Sequence, residues 1–306
     1  MTATQTPPVD SLPRTTSPDL GRRALSGKRR FKDRTATILI AACLLLAVLP
    51  LGLVVYQVII KGGAILNLEF LTADIPRRPS EPGPGMGPAV VGTIVTTGLA
   101  ALMAIPLGVL GAIYLNEYGK QRPLARFVRT MADVMTGVPS VMMGLFIYIV
   151  WVLATGELTA FAGALALACL MLPIVIRSSE EMLRLVPDEL RQASAALGAR
   201  KWRTTLTVVI PSAISGITSG SLLAIARAAG ETAPIIIVVG TITRINWDAF
   251  NRGNTTLAAQ IFKNASQAFP AAQERAWGAA LTLIVIVLVF TILARAIASR
   301  FAIKEH

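Results

Sequence analysis

The chain has 306 residues, of which 54% are hydrophobic and only 15% charged, and its formal net charge is +12. A soluble domain of that size needs more charge to cover its surface, so composition points to the bilayer as solvent. The single histidine is His306, which argues against histidine-based catalysis, and there is no GxxxxGK[ST] loop for nucleotide binding. Cys43 and Cys169 sit in separate apolar runs without metal-ligand spacing. They read as buried structural thiols, and no metal site or catalytic residue is expected.

Residues 1–36 are rich in Pro, Thr, Ser and Arg, and are expected to form a disordered, basic tail. A spanning helix needs about 20 mostly apolar residues. Six segments meet or approach that length: 37–60, 89–115, 138–154, 158–176, 208–240 and 277–298. The expected fold is therefore an all-α integral membrane domain of six transmembrane helices over 37–300. The first run is too long, and starts too late, for a cleaved signal peptide. Between the first two segments, Pro76, Pro79, Pro82, Pro84 and Pro88 alternate with Gly83, Gly85 and Gly87. That composition opposes regular helix and suits either a spacer or a surface touched by a soluble partner. Only Thr155-Gly156-Glu157 separates the third segment from the fourth, the pattern of a tight helical hairpin. The fifth is long enough to tilt or to extend beyond the bilayer. The final connection, 241–275, holds Trp247, Phe250 and Phe269, with a short interfacial helix expected near 255–268.

Lys and Arg set the orientation. Eight lie in 1–36, four in the second-to-third connection (Lys120, Arg122, Arg126, Arg129), six in the loop 177–207, and Arg295, Arg300 and Lys304 in the tail. The opposite side holds Lys61, Arg77, Arg78, Arg244, Arg252, Lys263 and Arg275. The crowded side is expected to be cytoplasmic, so both termini are expected on the inner side of the cell membrane. The positive charge then reports topology and attraction to membrane lipids. Nucleic acid is not an expected partner, because no aromatic-interleaved basic patch accompanies the charge.

Within the loop 177–207, Gln192-Ala193-Ser194 is followed by Gly198, Val208, Ile210 and Pro211. Small side chains allow close helix approach, so this stretch reads as a docking element; an ordinary amphipathic loop helix is the plainer alternative. Ser212, Gly216 and Gly220 lie four apart on the fifth segment, a spacing that admits another helix from this chain or a second one.

Arg227 is the one cation that no loop or helix end accommodates in the predicted topology. It falls about midway along the fifth segment, with Glu231 four residues on and therefore on the same face. Pro234 lacks an N–H and frees the carbonyl of Gly230, so a kink or break is expected beside the pair. Ionisable residues next to a helix discontinuity at membrane depth mark a translocation site, and a mutually satisfied Arg–Glu bridge is the structural alternative.

The loop spacing resembles the Glu-Ala-Ala loop of ABC-importer permeases, with Gln192 in place of the usual Glu. Ala226-Arg227-Ala228-Ala229-Gly230-Glu231-Thr232-Ala233-Pro234 resembles a segment of the PstA-type permeases of bacterial phosphate ABC importers. Asn116-Glu117-Tyr118 and Gly137-Val138-Pro139-Ser140 match as well, so the resemblance covers essentially 37–300. It implies a type I importer permease fold and a subunit without catalysis or cofactor of its own, forming part of the inorganic phosphate pathway. The implied partners are a second permease in a heterodimer, a cytoplasmic ATPase dimer that uses ATP, and an extracytoplasmic phosphate-binding protein. Arg227, Glu231 and Thr232 would line the pathway beside the discontinuity at Gly230 and Pro234. Gln192, Ala193, Ser194, Gly198 and Pro211 would couple to the ATPase. A permease for another oxyanion such as sulfate keeps the same architecture. A membrane enzyme acting on lipid phosphate would need paired acidic residues, and the inner loops offer only the separated Asp133 and Asp188.

Overall fold

In hydrocarbon every backbone polar group must find its partner within the chain, so long apolar runs become helices. The computed structural model describes residues 27–119 and 122–301, and among them every regular element is helical. In chain order these are α1 (Gly27–Ile65), α2 (Leu68–Thr72), α3 (Gly87–Gly119), α4 (Pro123–Gly137) and α5 (Ser140–Thr155). There follow α6 (Ala160–Leu185), α7 (Asp188–Ala196), α8 (Lys201–Ala229), α9 (Ala233–Val238), α10 (Leu257–Ala265) and α11 (Pro270–Phe301). Wide π-turns close α3 at Tyr114–Gly119 and interrupt α5 at Tyr148–Val152 and α8 at Thr205–Val209.

The chain divides between Val55 and Tyr56 into two units. In the first, residues 31–55 of α1 are exposed along their whole length, Cys43 included, so that thiol is not buried. Residues 27–36, expected to be disordered, form the first turns of α1; the earlier part of the expected tail lies outside the described residues.

In the second unit, α6 is central and packs on α3 and α8 through Ala162, Ala164, Ala166, Leu167, Met171 and Val175, all buried. Small residues permit this closeness. A Cβ on Gly108 of α3 would come within 2.7 Å of Val175 Cγ1. One on Gly216 or Gly220 of α8 would run into Met182 or Ser178 of α6. The small-residue spacing at Gly216 and Gly220 is thus satisfied inside this chain.

Among the described residues, five helices are long and apolar enough to cross a membrane: α1, α3, α6, α8 and α11. A sixth crossing is available if α4 and α5, bent by 106°, count as one. The bend falls at Val138-Pro139, where Val138 is extended (φ −75°, ψ 130°) because a residue before proline avoids the helical region. The expected tight hairpin is present: Gly156 turns with φ 78° between α5 and α6. The inter-helix loop is shorter than the expected 177–207, since 177–185 continue α6 and 201–207 begin α8. Nor is the fifth segment one helix, because α8 stops at Ala229 and α9 begins at Ala233.

At the bundle end opposite α7, the Pro–Gly loop is ordered by one buried side chain. Arg275 of α11 donates to the carbonyls of Pro79 (2.9 Å), Glu81 (2.8 Å) and Gly83 (3.4 Å). Ile75 N–H donates to Thr243 O and Ile245 N–H to Asp74 Oδ1, which ties this loop to 241–256. There Asp248 accepts from the Asn251 amide and from the N–H groups of Phe250 and Asn251. Those donors, the Asn251 amide first, hold its carboxyl below the usual carboxylate range. The expected short helix of this connection is α10.

Candidate functional site

The helix break is built by Pro234, the second residue of α9, which cannot donate to a preceding turn. The chain closes α8 with Gly230 N–H to Arg227 O and Glu231 N–H to Ala228 O, both 3.1 Å, and restarts with Ile236 N–H to Thr232 O. Behind the break stands α5: a Cβ on Gly144 would lie 2.6 Å from Pro234 Cα. Ile235, Val238 and Val239 are buried in the core, so α9 is fixed while Gly230 stays exposed.

Arg227 therefore occupies the last turn of α8 rather than the middle of a long helix. Its side chain is 67% exposed; Nε lies 3.8 Å from Glu231 Oε1, an ion pair too long to be a hydrogen bond. Among the described residues nothing else pairs with that guanidinium, so its fork of donors is open. Thr232 Oγ1 reaches the Gly230 carbonyl at 3.5 Å. Below Arg227 on α8, the exposed residues Ser212, Ser215, Ser219 and Leu223 continue the same stripe. Ser212 and Ser219 quench their own hydroxyls on the preceding turn, at Val208 O (2.7 Å) and Ser215 O (2.9 Å).

At the other candidate element, α7 has no buried residue and displays Gln192 and Ala193, with Leu197 exposed just past its end. Ser194 is turned inward, with its Oγ 2.9 Å from Thr204 Oγ1. Gly198 ends α7 in the left-handed region (φ 80°), with Gly198 N–H on Ala195 O and Ala199 N–H on Ser194 O. These are the two hydrogen bonds of a Schellman cap, a geometry that glycine adopts without a Cβ penalty. Pro211 follows the π-turn of α8, whose wider spacing absorbs the missing N–H, so α8 runs through it unbroken.

Sequence reasoning missed what fastens α7. Arg191 places Nη2 3.0 Å from Glu117 Oε1 and 2.9 Å from Leu183 O, and Nη1 2.6 Å from Val186 O and 3.1 Å from Asp188 Oδ1. One guanidinium thus joins α7 to the end of α3 and to the last carbonyls of α6. Nearby, Glu180 Oε1 accepts from Arg129 Nε and Arg184 Nη2, each at 2.7 Å, and Asp133 pairs with Arg177. A cleft of about 400 Å³ opens here, lined by Asn116, Glu117, Arg129, Arg184, Asp188 and Arg191. The only signal in the sequence was Glu117 within the Asn-Glu-Tyr match; its partner lies 74 residues away and no local spacing reveals it. The structure does not bring the Arg227 and Arg191 groups into contact.

A helical bundle with a charged helix break and a surface helix latched to its span ends has the build of a multi-pass transport subunit. Residues 104–303 match the family described as binding-protein-dependent transport system inner membrane component. The chain belongs to that family. Among relatives, it is 43% identical over 268 residues to the phosphate transport system permease protein PstA 1 of Mycobacterium tuberculosis (strain CDC 1551 / Oshkosh), covering 87% of this chain and 88% of that one. It is 38% identical over 286 residues to PstA of Yersinia pestis, covering 93% and 95%. Among solved structures, a bacterial alginate ABC transporter, crystallised with a pentasaccharide-bound periplasmic protein, superposes with a TM-score of 0.59. That match has 14% identity and covers 90% of this chain and 99% of that one, a likeness of fold.

Proposed function

We propose that this chain is the permease subunit of an ATP-driven phosphate importer, working with a second permease, an ATPase pair and an extracytoplasmic binding protein. The observation that carries this reading is the open Arg227 fork at the break above the serine stripe of α8. A charge at bilayer depth costs about 2.5–3.5 kcal/mol or more, so Arg227 faces protein, water or an anion rather than lipid. A guanidinium offers two parallel donors to two phosphate oxygens. Glu231, when ionised, only accepts; it receives the O–H that phosphate carries at neutral pH and repels sulfate, which has none. The names of the similar permeases support phosphate as the anion. The exposed face of α7 is read as the surface that meets the ATPase, on the cytoplasmic side given by the Lys and Arg distribution, with ATP consumed by that partner.

The test is uptake into proteoliposomes containing the full complex. Arg227→Gln is expected to abolish phosphate uptake while the complex still assembles. Glu231→Gln, whose amide both donates and accepts, is expected to transport phosphate poorly and to gain sulfate-stimulated ATP hydrolysis when the binding protein is omitted. Loss of phosphate uptake with no response to sulfate would leave Glu231 as a structural partner of Arg227 and place selectivity in the binding protein.

A further inference from the structure

We infer that α4 is an in-plane anchor for an anionic lipid surface, with Leu124, Phe127, Met131 and Val134 among the acyl chains and Arg122 and Arg126 at the headgroup phosphates. Three arcs of this helix have three different chemistries. Ala125 and Ala132 are buried, and Arg129 turns inward to Glu180 and to Leu115 O (2.8 Å). Arg126, Thr130 and Asp133 form an exposed polar arc, with Arg122 as the residue capping the helix. Leu124, Phe127, Met131 and Val134 form the third arc and are exposed by 58%, 60%, 39% and 55%. The Arg129–Glu180 and Asp133–Arg177 pairs fix the rotation of α4, so the apolar arc cannot turn inward.

Depth and direction favour lipid over a second permease chain as the occupant. The 16 residues of α5 rise about 24 Å, which brings Pro139 close to the far boundary of a hydrocarbon core about 30 Å thick. The 106° bend then turns α4 roughly along that boundary, where an amphipathic helix with a basic face lies. The unpartnered serine stripe of α8, a poor surface for lipid, is on the other side of α6. Ser178 and Met182 of α6 meet α8, whereas Ile176 and Glu180 meet the α4 side. At about 100° per residue those two pairs occupy opposing faces of α6. A partner permease seated on the stripe therefore approaches from the face of α6 opposite the one that meets α4. Which leaflet α4 contacts rests on the orientation in the proposed function; the contact with lipid does not.

The experiment uses the assembled complex, with Cys43 and Cys169 replaced by Ala and single cysteines introduced as Phe127→Cys, Val134→Cys or Thr130→Cys, each carrying an environment-sensitive fluorophore. In vesicles of phosphatidylcholine and phosphatidylglycerol, shallow spin-labelled lipids are expected to quench the labels at 127 and 134 far more than the label at 130, and aqueous iodide to do the reverse. Arg122→Gln with Arg126→Gln is expected to lose the preference for phosphatidylglycerol around the label at 127, about fivefold for each arginine. A label at 127 shielded from lipid quencher, or cross-linked to the second permease, overturns the proposal. Equal quenching by iodide at all three positions overturns it too. The readout needs no transport, so its failure is separate from failure of the permease reading.

Discussion

Gly198 shows what a single residue contributes to the α7 loop. Its Cβ position is open space, so nothing steric demands glycine; the demand comes from φ 80°. A residue with a Cβ in the left-handed region costs about 1–2 kcal/mol, and Asn tolerates it better than most. Gly198→Val is therefore expected to fray the end of α7, Gly198→Asn much less, read as faster hydrogen exchange at the Gly198 and Ala199 amides. Equal protection in both variants would mean that the cap is not what holds the turn. The spacing of Gly198 from Gln192-Ala193-Ser194 was visible in the sequence, but its cause was not, because a backbone angle leaves no mark on composition. Ser194 makes the same point. It reads as one of five positions that would couple to the ATPase until the structure shows its hydroxyl committed to Thr204.

Among the elements, α7 is held less by apolar contact than by Arg191, whose five donors serve two helices. A lysine there presents one compact charge and cannot reach Glu117, Leu183 O and Val186 O together. Glu117 is 5% exposed, and removing one partner of a buried pair costs about 3–5 kcal/mol. Arg191→Ala and Glu117→Gln are each expected to keep basal ATP hydrolysis and lose most of the stimulation by loaded binding protein, with Arg191→Lys intermediate. Full stimulation in Arg191→Ala would show that α7 acts through α8 and Pro211 alone. The spans themselves were legible because hydropathy averages over about 20 residues and tolerates local detail. The breaks were only partly so. Pro234 announced a discontinuity, yet the termination at Ala229, which moves Arg227 from mid-helix to a helix end, depends on Gly144 of α5 receiving Pro234. Likewise α4 vanished into a loop because Arg126, Arg129 and Asp133 dilute its hydropathy while leaving its amphipathic period intact.

At the scale of the whole molecule, the unpartnered face of α8 decides what assembly the chain can enter. Ser212, Ser215, Ser219 and Arg227 face away from the chain's own core and suit neither lipid nor a dry apolar interface. Two copies related by a two-fold axis along the membrane normal would bring Arg227 of each to the same depth across the axis. Among the described residues, each guanidinium has only a 3.8 Å contact with its own Glu231 to offset that repulsion. In a medium of low dielectric, like charges facing one another are costly, and a different chain offering acceptors at that depth removes the conflict. A heterodimer is therefore the expected pair. With Cys43 and Cys169 replaced, Ser219→Cys should form no disulfide between copies of this chain, but should cross-link to a cysteine placed along the facing helix of the second permease. This chain reconstituted with the ATPase alone should insert and transport no phosphate. A Ser219→Cys disulfide between copies, accompanied by phosphate uptake in that minimal preparation, would establish a homodimeric pore and remove the electrostatic argument against it.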